Sequence, residues 1–171
     1  MSRFDTTHTF VSGGAQGIGA AIARGVVAEG GHVTITDVLE DEGRDLAAQL
    51  GDAATFVKLD VTNEDAWAAA VEAAEAFAGP VDYMANNAGI VGFGPITEME
   101  TAEFRRVIGV NLTGVFLGMK HLVPSLRKAG GGTIVNTSST AGMMGYANLV
   151  AYVASKWAVR GMTKTAVTAS A

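Results

Sequence analysis

The chain has 171 residues, 49% hydrophobic and 17% charged, a length and balance that suit one domain with a buried core and exclude a disordered segment. It has twenty-two glycines, three prolines and no cysteine, which excludes a disulfide scaffold, a thiolate metal site and a cysteine nucleophile. Residues 1–103 hold 17 acids and 4 bases and residues 104–171 hold 8 bases and no acid, a net charge of −5; the bases are scattered through apolar segments, which argues against a nucleic-acid partner.

Either the two charged halves neutralise each other within one fold, or part of the chain is absent. Residues 1–10 lack the apolar core of a signal peptide. No window offers the ~18 uninterrupted apolar residues of a spanning helix, so a soluble, cytoplasmic protein without a membrane partner is expected.

A first strand is expected over residues 7–11. It is followed by Ser12-Gly13-Gly14-Ala15-Gln16-Gly17-Ile18-Gly19 and then by a helical pattern over 20–29. Glycines at 13, 17 and 19 let the backbone turn sharply and approach a pyrophosphate, which the positive end of the following helix would attract. The spacing is not that of the common dinucleotide fingerprint; the position between first strand and first helix carries the signal. A second strand over 33–37 ends on Asp37, where a carboxylate can accept hydrogen bonds from the adenosine ribose and repel a 2′-phosphate. No base is seen nearby, so NAD is favoured over NADP; the alternative is a solvated aspartate at a strand end.

A polar helix over 41–50 turns Ala47 and Leu50 inward, and a third strand covers 55–59. Asn63 caps an alanine-rich helix to Ala78 with Trp67, Val71 and Ala74 on one face, and Pro80 ends it. A fourth strand covers 81–85, one or two helices cover 102–127, and Gly130-Gly131-Gly132 breaks the chain. A fifth strand over 133–137 precedes a last helix over 150–169.

Strand and helix alternate five times, and the strands are apolar throughout. That predicts an α/β fold: a Rossmann-like doubly wound parallel sheet with helices on both faces and its ligand at the carboxyl ends of the strands.

Tyr152 and Lys156 lie four residues apart on the last helix and share a face. An ammonium beside a phenol favours phenolate and makes the pair a general acid/base at neutral pH. Ser138 and Ser139 end the fifth strand, where a hydroxyl could orient a carbonyl or alcohol oxygen. His8, His32 and His121 show no ligand spacing and are expected at the surface or in packing; no metal site is expected.

Four blocks in order resemble the short-chain dehydrogenase/reductase family: Ser12–Gly19, Asn86-Asn87-Ala88-Gly89, Asn111, and Ser139 with Tyr152-Val153-Ala154-Ser155-Lys156. The family's loop usually begins with Thr, and Ser12 keeps the hydroxyl. The resemblance implies that Tyr152 is the acid/base and that Lys156 favours its phenolate and binds the nicotinamide ribose. It implies that Ser139 positions the substrate oxygen and that Asn111 holds a water in a proton relay. It also implies that Asp60 and Val61 frame the adenine, that Asn87, Ala88 and Gly89 pass the adenosine ribose, and that the Ile18 backbone meets the pyrophosphate.

Further blocks resemble the NAD-dependent 3α(20β)-hydroxysteroid dehydrogenase subgroup. They are Leu59-Asp60-Val61-Thr62, Asn111–Phe116, 130–135 and Ala154-Ser155-Lys156-Trp157 with Val159-Arg160-Gly161. An NAD-dependent enzyme for a small apolar secondary alcohol or ketone, a steroid among the hypotheses, is the implied activity; the alternative is a nucleotide-binding protein with little turnover. Residues 1–171 read as a single NAD(P)-binding domain lacking the family's usual C-terminal strands, with the fifth strand left as an edge. A homo-oligomer is implied if the chain is complete. Val91, Gly92, Met143, Met144, Tyr146 and Asn148 are the expected pocket-facing residues.

Overall fold

A computed structural model describes residues 2–168. Five strands form one parallel sheet: β1 (His8–Ser12), β2 (His32–Asp37), β3 (Ala54–Lys58), β4 (Tyr83–Asn86) and β5 (Thr133–Asn136). The order is β3-β2-β1-β4-β5, so the winding reverses between β1 and β4. Register aligns Ser12 with Thr36, Ser12 with Asn86, and Asn86 with Asn136. The carboxyl ends of the central strands therefore lie side by side at the switch point, where such sheets bind ligands.

The helices are α1 (Gly17–Ala28), α2 (Glu40–Leu50), α3 (Glu64–Ala78), α4 (Thr101–Ile108), α5 (Gly114–Lys128) and α6 (Val150–Thr168). Successive strand residues point to opposite faces. Phe10 and Met84 accordingly join Leu59, Trp67, Ala70, Leu117, Leu122 and Leu126 in one core under α3 and α5. Val11 and Ala85 join Ala23, Val26, Val33, Ile35 and Leu46 in the other, under α1 and α2. Two covered faces explain why the strands read as continuous apolar runs.

Several boundaries differ from expectation, each for a local reason. The first helix starts at Gly17, because the glycine loop itself closes the first turn. The fourth strand starts at Tyr83 rather than residue 81: Val81 N–H donates instead to Ser125 Oγ at 3.0 Å. On α2 the deepest residues are Gly43 and Leu46, with Ala47 and Leu50 only partly buried. Helix α3 begins as expected, with Asn63 Oδ1 accepting from the Asp65 and Ala66 amides at 3.1 and 3.3 Å. The predicted last helical residue, Ala169, lies outside the described residues.

The region expected as one or two helices is a continuous run, Thr101–Lys128, interrupted by one π turn at Gly109–Thr113. By length and composition it could cross a membrane, but 44% of its most apolar window is buried in this fold. The charge halves meet across α3 and α5, where Glu64 pairs with Lys120 and Glu75 with Lys128. Strands β3 and β5 are the two outer strands, and Val135 of β5 is 59% exposed.

Candidate active site

The loop after β1 is closed at Gly13 and Gly19 by contacts that leave no room for a side chain. Gly13 has φ +64, and a Cβ there would lie 2.7 Å from Ala88 Cα. A Cβ at Gly19 would collide with the Gly13 carbonyl oxygen and lie 2.7 Å from Asn87 Nδ2. Ser12 Oγ accepts from the Asn87 and Ala88 amides at 3.2 and 3.3 Å. Asn87 Nδ2 donates to the carbonyls of Ser12 and Gly13 at 3.2 and 2.9 Å. The loops after β1 and β4 are thus one unit. Gln16, at the start of α1, makes no side-chain cap, which leaves the first helical amides at Gly17, Ile18 and Gly19 facing the loop.

A cleft of about 590 Å³ opens above this unit, lined among others by Gly13, Gln16, Gly17, Ile18, Asp37 and Asp60. Val61, Asn87, Ala88, Gly89, Val110 and Arg106 also line it. Asp37 is committed locally: Oδ2 accepts from Ala15 N–H at 3.1 Å, and Oδ1 accepts from Val38 and Leu39 N–H at 2.8 and 3.2 Å. These bonds aim the carboxylate at the cleft and still leave it lone pairs. Asp60 Oδ1 takes the Thr62 amide and hydroxyl at 2.9 and 2.7 Å. The cleft does contain a base, contrary to expectation. Arg106 reaches it from α4, held by Glu103 at 2.7 and 2.9 Å. It is distant in sequence from the loop, and only the packing of α4 brings it there.

The second cluster lies on α6, the π turn and the segment after β5. Asn111 is fully buried; its Oδ1 accepts from Ile90 N–H at 2.8 Å and its Nδ2 donates to Ile90 O and Ser155 Oγ at 2.9 and 3.1 Å. The π turn widens the helix at the point where this side chain turns inward. Lys156 is 3% exposed, and its Nζ donates to Thr137 O at 2.8 Å and lies 5.6 Å from the Tyr152 ring centre. Burial pulls its pKa below the ordinary lysine value. A Cβ at Gly89 would sit 3.4 Å from Asn111 Oδ1 and 3.6 Å from Lys156 Nζ, so the glycine-walled cleft and this cluster adjoin at Gly89. Ser139 caps a short 3₁₀ turn, Thr140–Gly142, by accepting from Ala141 N–H at 3.1 Å. Its hydroxyl hydrogen stays available to a substrate oxygen.

Sequence reasoning did not single out Asn136 or Thr137. Asn136 Oδ1 accepts from Asn86 Nδ2 at 2.7 Å, and Thr137 O holds Lys156. Ending on polar residues next to serines was the only available signal. Of the expected pocket residues, Val91, Met143, Met144, Tyr146 and Asn148 are exposed on the loops beside the cluster, whereas Gly92 is buried against Glu103 and Val107. Among the described residues no group of three or more His, Asp or Glu side chains could hold a metal ion.

Residues 7–171 match the family model of the short chain dehydrogenases. The chain belongs to the short-chain dehydrogenase family. Among curated members, it is 48% identical to trans-4-hydroxycyclohexanecarboxylate dehydrogenase of Sinomonas cyclohexanicum, over 91% of this chain and 63% of that protein. It is 46% identical to 3-alpha-(or 20-beta)-hydroxysteroid dehydrogenase of Mycobacterium tuberculosis, over 91% of this chain and 60% of that protein. It is 38% identical to cyclopentanol dehydrogenase of Comamonas testosteroni, over 96% of this chain and 67% of that protein. The chain thus spans about 60% of the length of its first two relatives. The resemblance to the hydroxysteroid dehydrogenase subgroup stands, within a family branch whose named members act on alcohols of several ring systems.

Proposed function

We propose that this chain carries the cofactor cleft and catalytic side chains of an oxidoreductase that moves a hydride between NAD(H) and a secondary alcohol or its ketone. The observation that carries the reading is the meeting at Gly89 of two things: a glycine-walled cleft at the switch point, and a buried Lys156 beside Tyr152. The residues present fit a dinucleotide. The unblocked amides of α1 suit a pyrophosphate, and the Asp37 carboxylate suits ribose hydroxyls. When bound, NAD supplies the hydride acceptor.

The chain's own groups do the proton work. Ser139 donates its hydroxyl hydrogen to the substrate oxygen and fixes its distance from Tyr152. Tyr152 takes the hydroxyl proton during oxidation and returns it during reduction. Lys156 spends one N–H on Thr137 O and keeps two, for the nicotinamide ribose and for the electrostatic support of the phenolate. Asn111, locked by Ile90 and Ser155, shapes the path that carries the proton to solvent.

A carbinol on a carbocycle is the favoured substrate, because the three relatives above are named for a hydroxycyclohexane, a hydroxysteroid and cyclopentanol. The exposed Met143, Met144 and Tyr146 suit such an apolar body. A homo-oligomer belongs to the same reading, with Phe116 and Trp157 half exposed on α5 and α6.

The test is NADH formation from cyclohexanol, cyclopentanol and a hydroxysteroid. Tyr152→Phe is expected to abolish turnover while NADH binding persists. Replacing Asp37 by Arg is expected to shift the NAD:NADP affinity ratio at least ~10-fold toward NADP; an unchanged ratio removes the cofactor assignment. The open β5 edge, with Val135 exposed, favours a second reading for the chain acting by itself: nucleotide binding without turnover. That reading expects cofactor to change Trp157 fluorescence while no alcohol is oxidised.

A further inference from the structure

Ser139 opens a surface segment that is otherwise held by Tyr146 Oη donating to Thr140 Oγ1 at 3.0 Å and by Gly94 N–H donating to Asn148 O at 2.9 Å. Residues 143–148 are exposed, and the turn buries only Ala141 and Gly142. Two hydrogen bonds fasten this turn to α6, the helix that carries Tyr152 and Lys156. Ser138 Oγ donates to Lys156 O at 3.0 Å, and Arg160 Nη1 donates to Gly142 O at 2.6 Å. The fit is tight: a Cβ at Gly142 would lie 2.5 Å from Ser138 Oγ, 2.8 Å from Lys156 O and 3.1 Å from Arg160 Cδ. Arg160 stands one helical turn after Lys156 and therefore on the same face. Its guanidinium also lies 6.0 Å from the Trp157 ring centre, which limits its swing.

Given the dehydrogenase reading above, in which Ser139 holds the substrate oxygen, we propose that Arg160 is a positioning residue for Ser139, acting through the Gly142 carbonyl. The physical reason is geometric. Ser139 and Tyr152 must address one oxygen from two different elements, β5's exit and α6. A charge-assisted bond at the far side of the 3₁₀ turn fixes the distance between them. Misplacing a positioning group by about 1 Å costs catalysis up to ~100-fold without touching cofactor binding.

The test compares wild type with Arg160→Ala, Arg160→Lys and Gly142→Ala. The first readout is amide hydrogen exchange. The amides of Gly142, Met143 and Met144 bond to Ser139 O and Thr140 O, so their protection reports the turn. Arg160→Ala is expected to speed their exchange about tenfold while β1 and β4 amides keep theirs; unchanged exchange at 142–144 overturns the proposal. The second readout is turnover of a secondary alcohol. Arg160→Ala is expected to lower kcat about tenfold with the NADH Kd unchanged, and Arg160→Lys, which keeps a cationic donor, to recover part of the loss. An undiminished kcat, or a parallel loss of NADH affinity, overturns it.

Gly142→Ala pushes the same contact apart from the other side. The double variant Arg160→Ala with Gly142→Ala should then be no worse than Gly142→Ala alone; additive losses overturn the proposal. If wild type oxidises no alcohol, the dehydrogenase reading falls by itself. The exchange experiment still decides the clamp: faster exchange upholds it, unchanged exchange ends it.

Discussion

The glycines of the loop after β1 are not equivalent, and the difference is energetic. Gly19 is enclosed by the Gly13 carbonyl and Asn87 Nδ2, whereas Gly17 has φ +57 and open space around it. Gly19→Ala must separate the loops after β1 and β4, so a loss of several kcal/mol is expected, roughly 3, together with loss of NADH binding. Gly17→Ala meets no atom and bears only the strain of a left-handed alanine, about 1–2 kcal/mol. Urea midpoints of the two variants check the order; equal losses would mean that crowding does not rule this loop. The residue types at 12–19 were readable from the sequence because a run of small residues between a strand and a helix is a local pattern. Arg106 was not readable as a neighbour of that loop, since its place in the cleft depends on α4 packing beside the segment after β3, where it shares a wall with Asp60 and Thr62.

Among the elements, α3 has the most legible start and the π turn at Gly109–Thr113 the least legible one. Asn63 offers its Oδ1 to the Asp65 and Ala66 amides, and the acids Glu64 and Asp65 follow in the positive first turn. Asn63→Ala is expected to cost about 1 kcal/mol in urea unfolding, and Asn63→Asp to keep most of the stability. A loss under ~0.3 kcal/mol would show that Trp67, buried against Phe10, holds this helix without its cap. The π turn at Gly109–Thr113 had no such local signature. It is a compromise between a straight helix and the burial of Asn111, and that compromise is set by Ile90 and Ser155 from other elements.

For the whole molecule, charge and protonation follow from which surfaces meet. The acidic first part and basic last part of the chain pair across α3 and α5, through exposed bridges worth little individually. His8 is a different case. It is 2% exposed, between Gly79 O and Thr34 Oγ1, each 2.9 Å from a ring nitrogen. Desolvation is the main influence on it and lowers its pKa below the usual histidine value. The unfolded chain therefore takes up the proton first as pH falls. Stability from the neutral ring is complete above the ordinary histidine value near ~6.5 and is lost below it, at up to about 1.4 kcal/mol per pH unit until the folded form protonates as well. Urea midpoints at pH 7.5 and 5.5 are expected to fall for wild type and to fall less for His8→Gln; parallel slopes would assign the acid sensitivity elsewhere.

What the sequence determined without help was periodic or local. Alternating strand and helix, glycines between the first strand and the first helix, a cap at Asn63, and a phenol and ammonium one turn apart are all encoded within a few residues. They were sufficient for the doubly wound sheet; the family was legible only through the resemblance of four blocks taken in order, at 12–19, 86–89, 111 and 139 with 152–156. The tertiary structure decided everything that needs residues far apart in the chain. It brought Arg106 to the cleft, set Thr137 O against Lys156, buried Gly92 against α4, and tied the Ser139 turn to Arg160. Those contacts depend on how helices cross the sheet and which face each one covers. That geometry is set by the summed packing of two apolar cores, not by any short run of residues.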